Sequence, residues 1–380
     1  MRLRKADVTV PFTFDGVKYC GVAGETLAAA LQANGVKLVA RSFKYHRPRG
    51  VMGSGSEEPN ALVTIGTGAQ ADPNVRATVQ EVYEGLEAFS QNAWPTLKND
   101  VMAVNDFASP FLGAGFYYKT FMWPKAFWER VYEPIIRRAA GLGGLSGKTD
   151  PDTYEKAFAF CDVLVIGAGP AGLMAALVAG RSGADVILAE EDTALGGRLL
   201  SEVEEIDGAP AMDWVKSVEA ELSAMPNVRI MTRTAVTGAY DQGTFGALER
   251  VGDFAPRRVG LPRSCFWRIV AKRSVLCAGS LERSIAFPNN DRPGVMMAGA
   301  VRAYVNRWGV ATGKKVAVFG NNDDVAKTAR DLRAAGIDVV AELDSRTGAR
   351  VIDTAGRHGL QSITVSQNGE NAKIEADCLA

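Results

Sequence analysis

Val163-Leu-Val-Ile-Gly-Ala-Gly-Pro-Ala-Gly172 decides the fold of this chain. An apolar run ends in Gly-x-Gly-x-x-Gly, and residues 171–182 continue with the apolar spacing of a helix. Asp185-Val-Ile-Leu-Ala189 follows as a second strand, ending on the acidic run Glu190-Glu191-Asp192. Strand, glycine loop, helix, strand and terminal acid make the dinucleotide-binding unit of a Rossmann-type α/β sheet. Gly167 permits the tight turn, Gly169 lets the backbone approach a pyrophosphate, and Gly172 lets the helix pack on the strand. Beyond Pro170, the amides around Ala171 and Gly172 face the ligand at a helix N-terminus, where negative charge is favoured. Glu190 lies about twenty positions past the loop, where a carboxylate accepts hydrogen bonds from an adenosine ribose. The acids that follow it would repel a 2′-phosphate, which excludes NADP.

Working downstream, Ala194-Leu-Gly-Gly-Arg-Leu199 adds a second glycine pair. This E…GG spacing recurs in flavin-type Rossmann domains, where Gly197 passes close to the dinucleotide and Arg198 reaches its pyrophosphate or ribose. The alternative is a turn with a solvated arginine. Val236 is placed to meet an adenine through its backbone. Cys277-Ala278-Gly279 follows a buried strand where the chain returns to the cofactor, with Cys277 as a small core residue rather than a redox thiol.

The pattern then repeats. Lys315-Val-Ala-Val-Phe319, a helix near 324–335 and a strand over 337–341 form a second unit, inserted into the first in a two-dinucleotide-domain architecture. Its loop reads Gly320-Asn-Asn-Asp-Asp-Val325, without two of the three glycines. Asp323 and Asp324 would each stabilise an empty helix N-terminus by about 0.3–1 kcal/mol and repel an anion. The second unit therefore reads as a structural relic, which disfavours a reductase drawing electrons from NAD(P)H there.

Upstream, Val8-Thr-Val-Pro-Phe-Thr-Phe14, the Asp15-Gly16 turn and Val17-Lys-Tyr-Cys20 form a hairpin. A helix over 25–34, closed by Gly35, follows in β-grasp order. Aromatics then crowd residues 107–140: Phe107, Phe111, Phe116, Tyr117, Tyr118, Phe121, Trp123, Phe127, Trp128 and Tyr132. The favoured reading is a helical connector packing its rings between two domains; a membrane-interface segment is the alternative. Gly141-Leu-Gly-Gly-Leu-Ser-Gly147 reads as a linker. The expected domains are 1–105 (β-grasp), 106–155 (connector), 156–310 (dinucleotide domain) and 311–380 (the degenerate, incomplete unit).

Composition narrows the function. Lys plus Arg and Asp plus Glu number 43 each, which offers no general case for nucleic acid or an anionic membrane. The basic patch Arg41-Ser-Phe-Lys-Tyr-His-Arg-Pro-Arg-Gly50 could suggest RNA, but a subunit or flavin-phosphate contact is the better reading. Five scattered cysteines and two histidines support neither a disulfide framework nor a zinc site. No stretch has the length of an apolar membrane span, and Met1-Arg-Leu-Arg-Lys-Ala-Asp7 lacks a signal core, so the expected compartment is the cytoplasm. No nucleophilic triad or paired-carboxylate hydrolase site is present.

Phe14-Asp-Gly-Val, Gly24-Glu-Thr-Leu-Ala-Ala-Ala-Leu, the basic patch, Pro73-Asn-Val-Arg76 and Gly167-Ala-Gly-Pro-Ala-Gly172 together resemble heterotetrameric sarcosine oxidase α subunits. Related domains occur in amine and opine dehydrogenases and in hydrogen cyanide synthase. The resemblance implies a ferredoxin-like first domain, and its four cluster-ligand positions correspond to Met52, Glu57, Ala61 and Thr78. None of these is a cysteine, so no iron–sulfur cluster is expected. It also implies NAD+ at the first Rossmann unit in a structural or regulatory role, whereas the E…GG pattern alone favours FAD. The ADP half common to both is what Ala171, Glu190, Glu191, Asp192 and Arg198 would read.

The family's reaction oxidises sarcosine with oxygen to glycine, hydrogen peroxide and formaldehyde or methylene-tetrahydrofolate. The resemblance places FAD and substrate on a β subunit, FMN at the α/β interface, and smaller γ and δ subunits beside them. Folate binds a C-terminal domain that lies beyond Ala380, so the chain reads as a fragment, inactive alone. Two other readings stay open: an FAD-binding subunit of an amine or opine dehydrogenase or of hydrogen cyanide synthase, and a non-catalytic assembly scaffold.

Overall fold

The computed structural model describes residues 1–4, 8–113, 115, 123–140, 143–256 and 260–380. Two compact units emerge, one of Met1–Asp150, Arg283–Val305 and Gly309–Ala380, the other of Pro151–Glu282 and Asn306–Trp308. This differs from the expected boundaries. Residues 283–305 belong with the first unit, and 311–380 share that unit with the β-grasp region instead of forming a separate domain.

In the first unit, β1 (Thr9–Phe14) and β2 (Val17–Val22) are antiparallel, with Phe14 opposite Val17. Asp15 and Gly16 both have positive φ, 49° and 78°, which suits a two-residue hairpin turn whose twist matches the strands. Helix α1 (Leu27–Ala33) begins where the Thr26 hydroxyl accepts from the Ala29 amide, and it buries Leu27 to Gln32. Strands β3 (Leu62–Ile65), β4 (Asp72–Arg76) and β5 (Leu86–Ser90) complete a sheet of order β2-β1-β5-β3-β4. Only β1 and β5 pair in parallel, as a β-grasp fold requires.

The loop between α1 and β3 is organised by carboxylates. Buried Glu58 accepts from the amides of Met52 (2.8 Å), Gly53 (2.6 Å), Asn60 (2.7 Å) and Ala61 (3.0 Å). Glu57 accepts from Ser54 and Gly55, and the Thr78 hydroxyl donates to the Gly55 carbonyl. The buried Tyr304 hydroxyl donates to the Gly53 carbonyl at 3.0 Å.

Two segments marked in the sequence also lie in this unit. Three arginines of the basic patch have partners within this unit. Arg41 is buried, donating to the carbonyls of Leu97 and His46, while His46 meets Asp100 at 2.6 Å. Arg47 and Arg49 both pair with Asp291. The described residues of the connector are helical in part. Short turns at Val101–Asp106, Lys125–Phe127 and Trp128–Tyr132 lead into a helix at Glu133–Ala140. Phe107, Phe111 and Trp123 are exposed, while Phe127 and Tyr132 meet edge-on. Phe116, Tyr117, Tyr118, Phe121, Gly141 and Leu142 lie outside the described residues.

The second unit is a six-stranded sheet. Its strands are β6 (Tyr154–Ile166), β7 (Val186–Ala189), β8 (Val228–Met231), β9 (Thr234–Tyr240), β10 (Thr244–Arg250) and β11 (Ser264–Leu276). The order is β8-β7-β6-β11-β10-β9, with β8, β7, β6 and β11 parallel and the last three strands an antiparallel meander. Helices α2 (Pro170–Arg181) and α3 (Ala211–Ala224) cover one face through Leu173, Leu177, Val215 and Leu222. The meander's Phe245, Ala247, Ile269 and Ala271 pack against Leu164 and Ile187. Strand β6 starts nine residues before the expected Val163, because it runs alongside β11 from Tyr154 opposite Ser264.

The chain then returns to the first unit. Strand β12 (Lys315–Gly320), helix α4 (Asp324–Ala334) and strand β13 (Asp338–Asp344) form the second strand–helix–strand unit. A meander of β14 (Arg350–Ala355), β15 (Ser362–Gln367) and β16 (Glu370–Glu375) leads to β17 (Cys378–Leu379), which pairs in parallel with β12. At its degenerate loop, Arg346 bridges Asp323 (2.8 Å) and Asp344 (2.7 Å), and the Asn322 side chain accepts from the Asp324 amide. Among the described residues, no helix is long and apolar enough to cross a membrane.

Candidate dinucleotide site

The second unit places the glycine loop after the carboxyl end of β6 and the acidic run after that of β7, the edge where α/β sheets bind ligands. Gly167, at the end of β6, has φ of 96°, and a Cβ there would stand 2.5 Å from the Cys277 carbonyl oxygen. Gly172 is closed more tightly still, its Cβ position lying 1.8 Å from the Gly167 oxygen. Gly169 differs: nothing lies within 4 Å of its Cβ position. The two outer glycines thus serve packing, and the middle one borders open space. Gly169 is also the N-cap of α2 and Pro170 its first residue, so the helix begins with a residue that has no amide hydrogen.

The neighbouring segments close on this loop. The Gly196 amide donates to the Ala168 carbonyl at 2.9 Å, and a Cβ on Gly197 would stand 2.9 Å from the Gly169 Cα. Cys277 and Ala278 run directly against Gly167, followed by exposed Gly279 with φ of 67°. Val236 lies in β9 opposite Ala247, half-buried beside the cluster that contains Met231.

The acidic run divides its tasks. Glu190 is buried, one carboxylate oxygen accepting from the Ala168 amide at 2.6 Å and the other from the Asp192 amide at 2.9 Å. A carboxylate has roughly four acceptor positions, so acceptor capacity remains for a ribose. Burial raises the pKa of Glu190 above the usual range, with the two amides acting in the opposite direction. Glu191 is exposed. Asp192 instead forms a two-pronged pair with Arg307, at 2.6 and 2.7 Å. That pair holds its carboxyl below the usual range despite desolvation. Arg198 pairs with Glu202 at 2.8 Å.

Arg307 was not foreseen, since 115 residues separate it from Asp192 and no motif links them. The segment bearing it is fastened to the same unit by Asn306, whose side-chain amide donates to the Ser201 carbonyl, and Arg307 stacks over Trp308 at 4.3 Å.

A glycine loop at the head of a parallel sheet, with a buried acid beneath it, is the arrangement that Rossmann-type α/β sheets use for dinucleotides. Residues 162–245 accordingly match the family of FAD dependent oxidoreductases. Across 98% of its length the chain is similar to sarcosine oxidase α subunits, 53% identical to that of Rhizobium meliloti (strain 1021) and spanning 39% of it. The α subunit from Corynebacterium sp. (strain U-96) is 37% identical over 98% of this chain, which spans 34% of that relative. The chain therefore spans little more than a third of these relatives. L-proline dehydrogenase from P. horikoshii shares the fold, with a TM-score of 0.68 at 22% identity, over 100% of this chain and 61% of that one.

One cofactor expectation is corrected by these matches. Residues 7–93 match the family of 2Fe-2S iron-sulfur cluster binding domains, which overturns the expectation of a domain without a cluster. The side chains present do not fit the usual ligation, since such a cluster takes four thiolates and Cys20, exposed on β2, is the one cysteine within 7–93.

Proposed function

We propose that this chain is the dinucleotide-holding part of the α subunit of a multi-subunit sarcosine oxidase. Such a complex converts sarcosine, oxygen and water to glycine, hydrogen peroxide and formaldehyde, or, with tetrahydrofolate in place of water, to glycine, hydrogen peroxide and methylene-tetrahydrofolate. The reading is carried by the 53% identity to the Rhizobium subunit over 98% of this chain. Its site residues are Gly167, Gly169, Ala171 and Gly172 for the pyrophosphate, with Glu190 for the adenosine ribose. Gly197, Ala278 and Gly279 form the walls, and Val236 serves at the adenine.

The ligand proposed is NAD+, held tightly by its ADP half. A nicotinamide or flavin ring supplies two-electron redox chemistry when bound. The residues named here bind and orient the nucleotide, and none is positioned as a proton donor to a substrate. Sarcosine oxidation itself would fall to a β subunit, with γ and δ subunits completing the assembly in the cytoplasm. FAD is the second reading, favoured by the match of residues 162–245 to FAD dependent oxidoreductases.

The visible spectrum of the purified chain, with an enzymatic NAD+ assay on its heat-released supernatant, separates the two. Colourless protein releasing about one NAD+ per chain supports the first reading. A flavin spectrum with released FAD replaces it with the second. Folded protein that neither carries nor binds any nucleotide would favour a scaffold.

A further inference from the structure

Asp192 and Arg307 lie where a dinucleotide site tells one ribose from another. Glu190 is the acid at the end of β7, and the Asp192 amide donates to its carboxylate at 2.9 Å. Asp192 is therefore one hydrogen bond from the group expected to receive the ribose hydroxyls. Sites that take a 2′-phosphorylated ribose commonly place an arginine in this neighbourhood. Here an arginine is present, but its two-pronged face is already taken. Arg307 Nη1 and Nη2 meet the two Asp192 oxygens at 2.6 and 2.7 Å, the planar fork geometry that arginine also offers to phosphate.

The arginine is held firmly in place. Asn306 ties the segment to Ser201, the Trp308 ring supports the guanidinium, and the Thr193 amide and hydroxyl donate to Asp192 Oδ1 and fix its orientation. Arg307 is less exposed than its partner, 17% against 34%. A small anion that displaced the Asp192 carboxylate would find the guanidinium already ordered.

We propose that the Asp192–Arg307 pair determines the ribose specificity of the dinucleotide site, Asp192 acting as an internal substitute for a 2′-phosphate that keeps Arg307 from binding one. The inference rests on the dinucleotide reading above and adds to it. Exclusion of NADP comes from an occupied arginine and not only from repulsion by the acidic run. Neutralising Asp192 uncovers a preorganised cation and shifts the site toward 2′-phosphorylated nucleotides.

The test is calorimetric titration of the full chain, freed of nucleotide, with ADP and with 2′,5′-ADP. The parent should bind ADP and discriminate against 2′,5′-ADP. In Asp192→Asn, and independently in Asp192→Ser, the ratio of the two affinities should move at least about tenfold toward 2′,5′-ADP, the scale of one charge-assisted contact. Adding Arg307→Met to Asp192→Asn should abolish that shift. Unchanged ratios in both Asp192 variants, with ADP still bound, overturn the specificity proposal alone. So does a shift that survives Arg307→Met. Parent protein that binds neither nucleotide overturns the dinucleotide reading itself, and this proposal with it.

Discussion

Gly169 and Gly172 are three residues apart in one motif, yet their alanine variants should fail in opposite ways. At Gly172 the new methyl would stand 1.8 Å from the Gly167 carbonyl oxygen, which belongs to the backbone and cannot rotate aside. Overpacking of this kind costs about 1–3 kcal/mol, and a backbone obstacle puts it near the top of that range. Removing a helical glycine returns about 1 kcal/mol of propensity, leaving a net loss near 2 kcal/mol. For a unit of this size that lowers Tm by about 4–8 °C. At Gly169 the same methyl meets nothing within 4 Å, and φ of −70° suits any residue. The fold should lose at most about 1 kcal/mol, the difference between glycine and alanine as an N-cap. The methyl does project into the space left for the pyrophosphate, so ADP affinity should drop at least about tenfold, or 1.4 kcal/mol. Scanning calorimetry reads the first effect and isothermal titration the second. The reasoning is refuted if Gly169→Ala binds ADP like the parent, or if Gly172→Ala melts within about 1 °C of it.

Three further outcomes are expected. Because burial raises the Glu190 pKa, and protonation removes the charge that strengthens its bonds to ribose hydroxyls, ADP affinity should weaken as pH falls. The decline should begin at a higher pH than the ordinary glutamate value of 4.5 would give, and Glu190→Gln should flatten the profile in pH-dependent titrations. Glu58→Ala leaves four amides without their acceptor, which should destabilise the first unit by roughly 3–5 kcal/mol in urea unfolding. Burial pushes the Cys161 and Cys378 thiols up to about 11, whereas Cys20 is exposed. Iodoacetamide at pH 8 should therefore modify Cys20 in the native protein and reach the other two only on unfolding, as peptide mass spectrometry would show.

The parts of the fold legible in the sequence were those set by local chemistry. Asp15-Gly16 specified its hairpin through positive φ, and the 163–172 stretch specified strand, loop and helix to within a residue at the helix end. The early start of β6 was hidden because residues 154–162 form a strand only through pairing with β11, over a hundred residues away. Within it Ala159 and Cys161 are buried while Phe158 and Phe160 face outward, so the apolar run Ala157–Cys161 does not mark the buried face by composition. The glycines of the candidate site were readable because backbone geometry dictates them. The partners of its acids were not, since Arg307 reaches Asp192 from a segment whose own sequence carries no nucleotide signature. A partner of the basic patch was hidden for the same reason, as Asp291, the partner of Arg47 and Arg49, lies some 240 residues further along.

The first residues of the chain make a seam with residues 309–311. The Leu3 amide donates to the Gly309 carbonyl, the Ala311 amide donates to Met1, and Arg2 bridges Val310. On a ribosome adding about 5–20 residues per second, Met1 would wait roughly 15–60 s for those partners to be made. Throughout that interval the β-grasp region lacks one edge of its unit, and Gly53 lacks the Tyr304 hydroxyl. The whole of the second unit is synthesised meanwhile and has every contact of its sheet available. The dinucleotide fold, although later in sequence, is thus placed to finish first, with the amino-terminal region closing behind it.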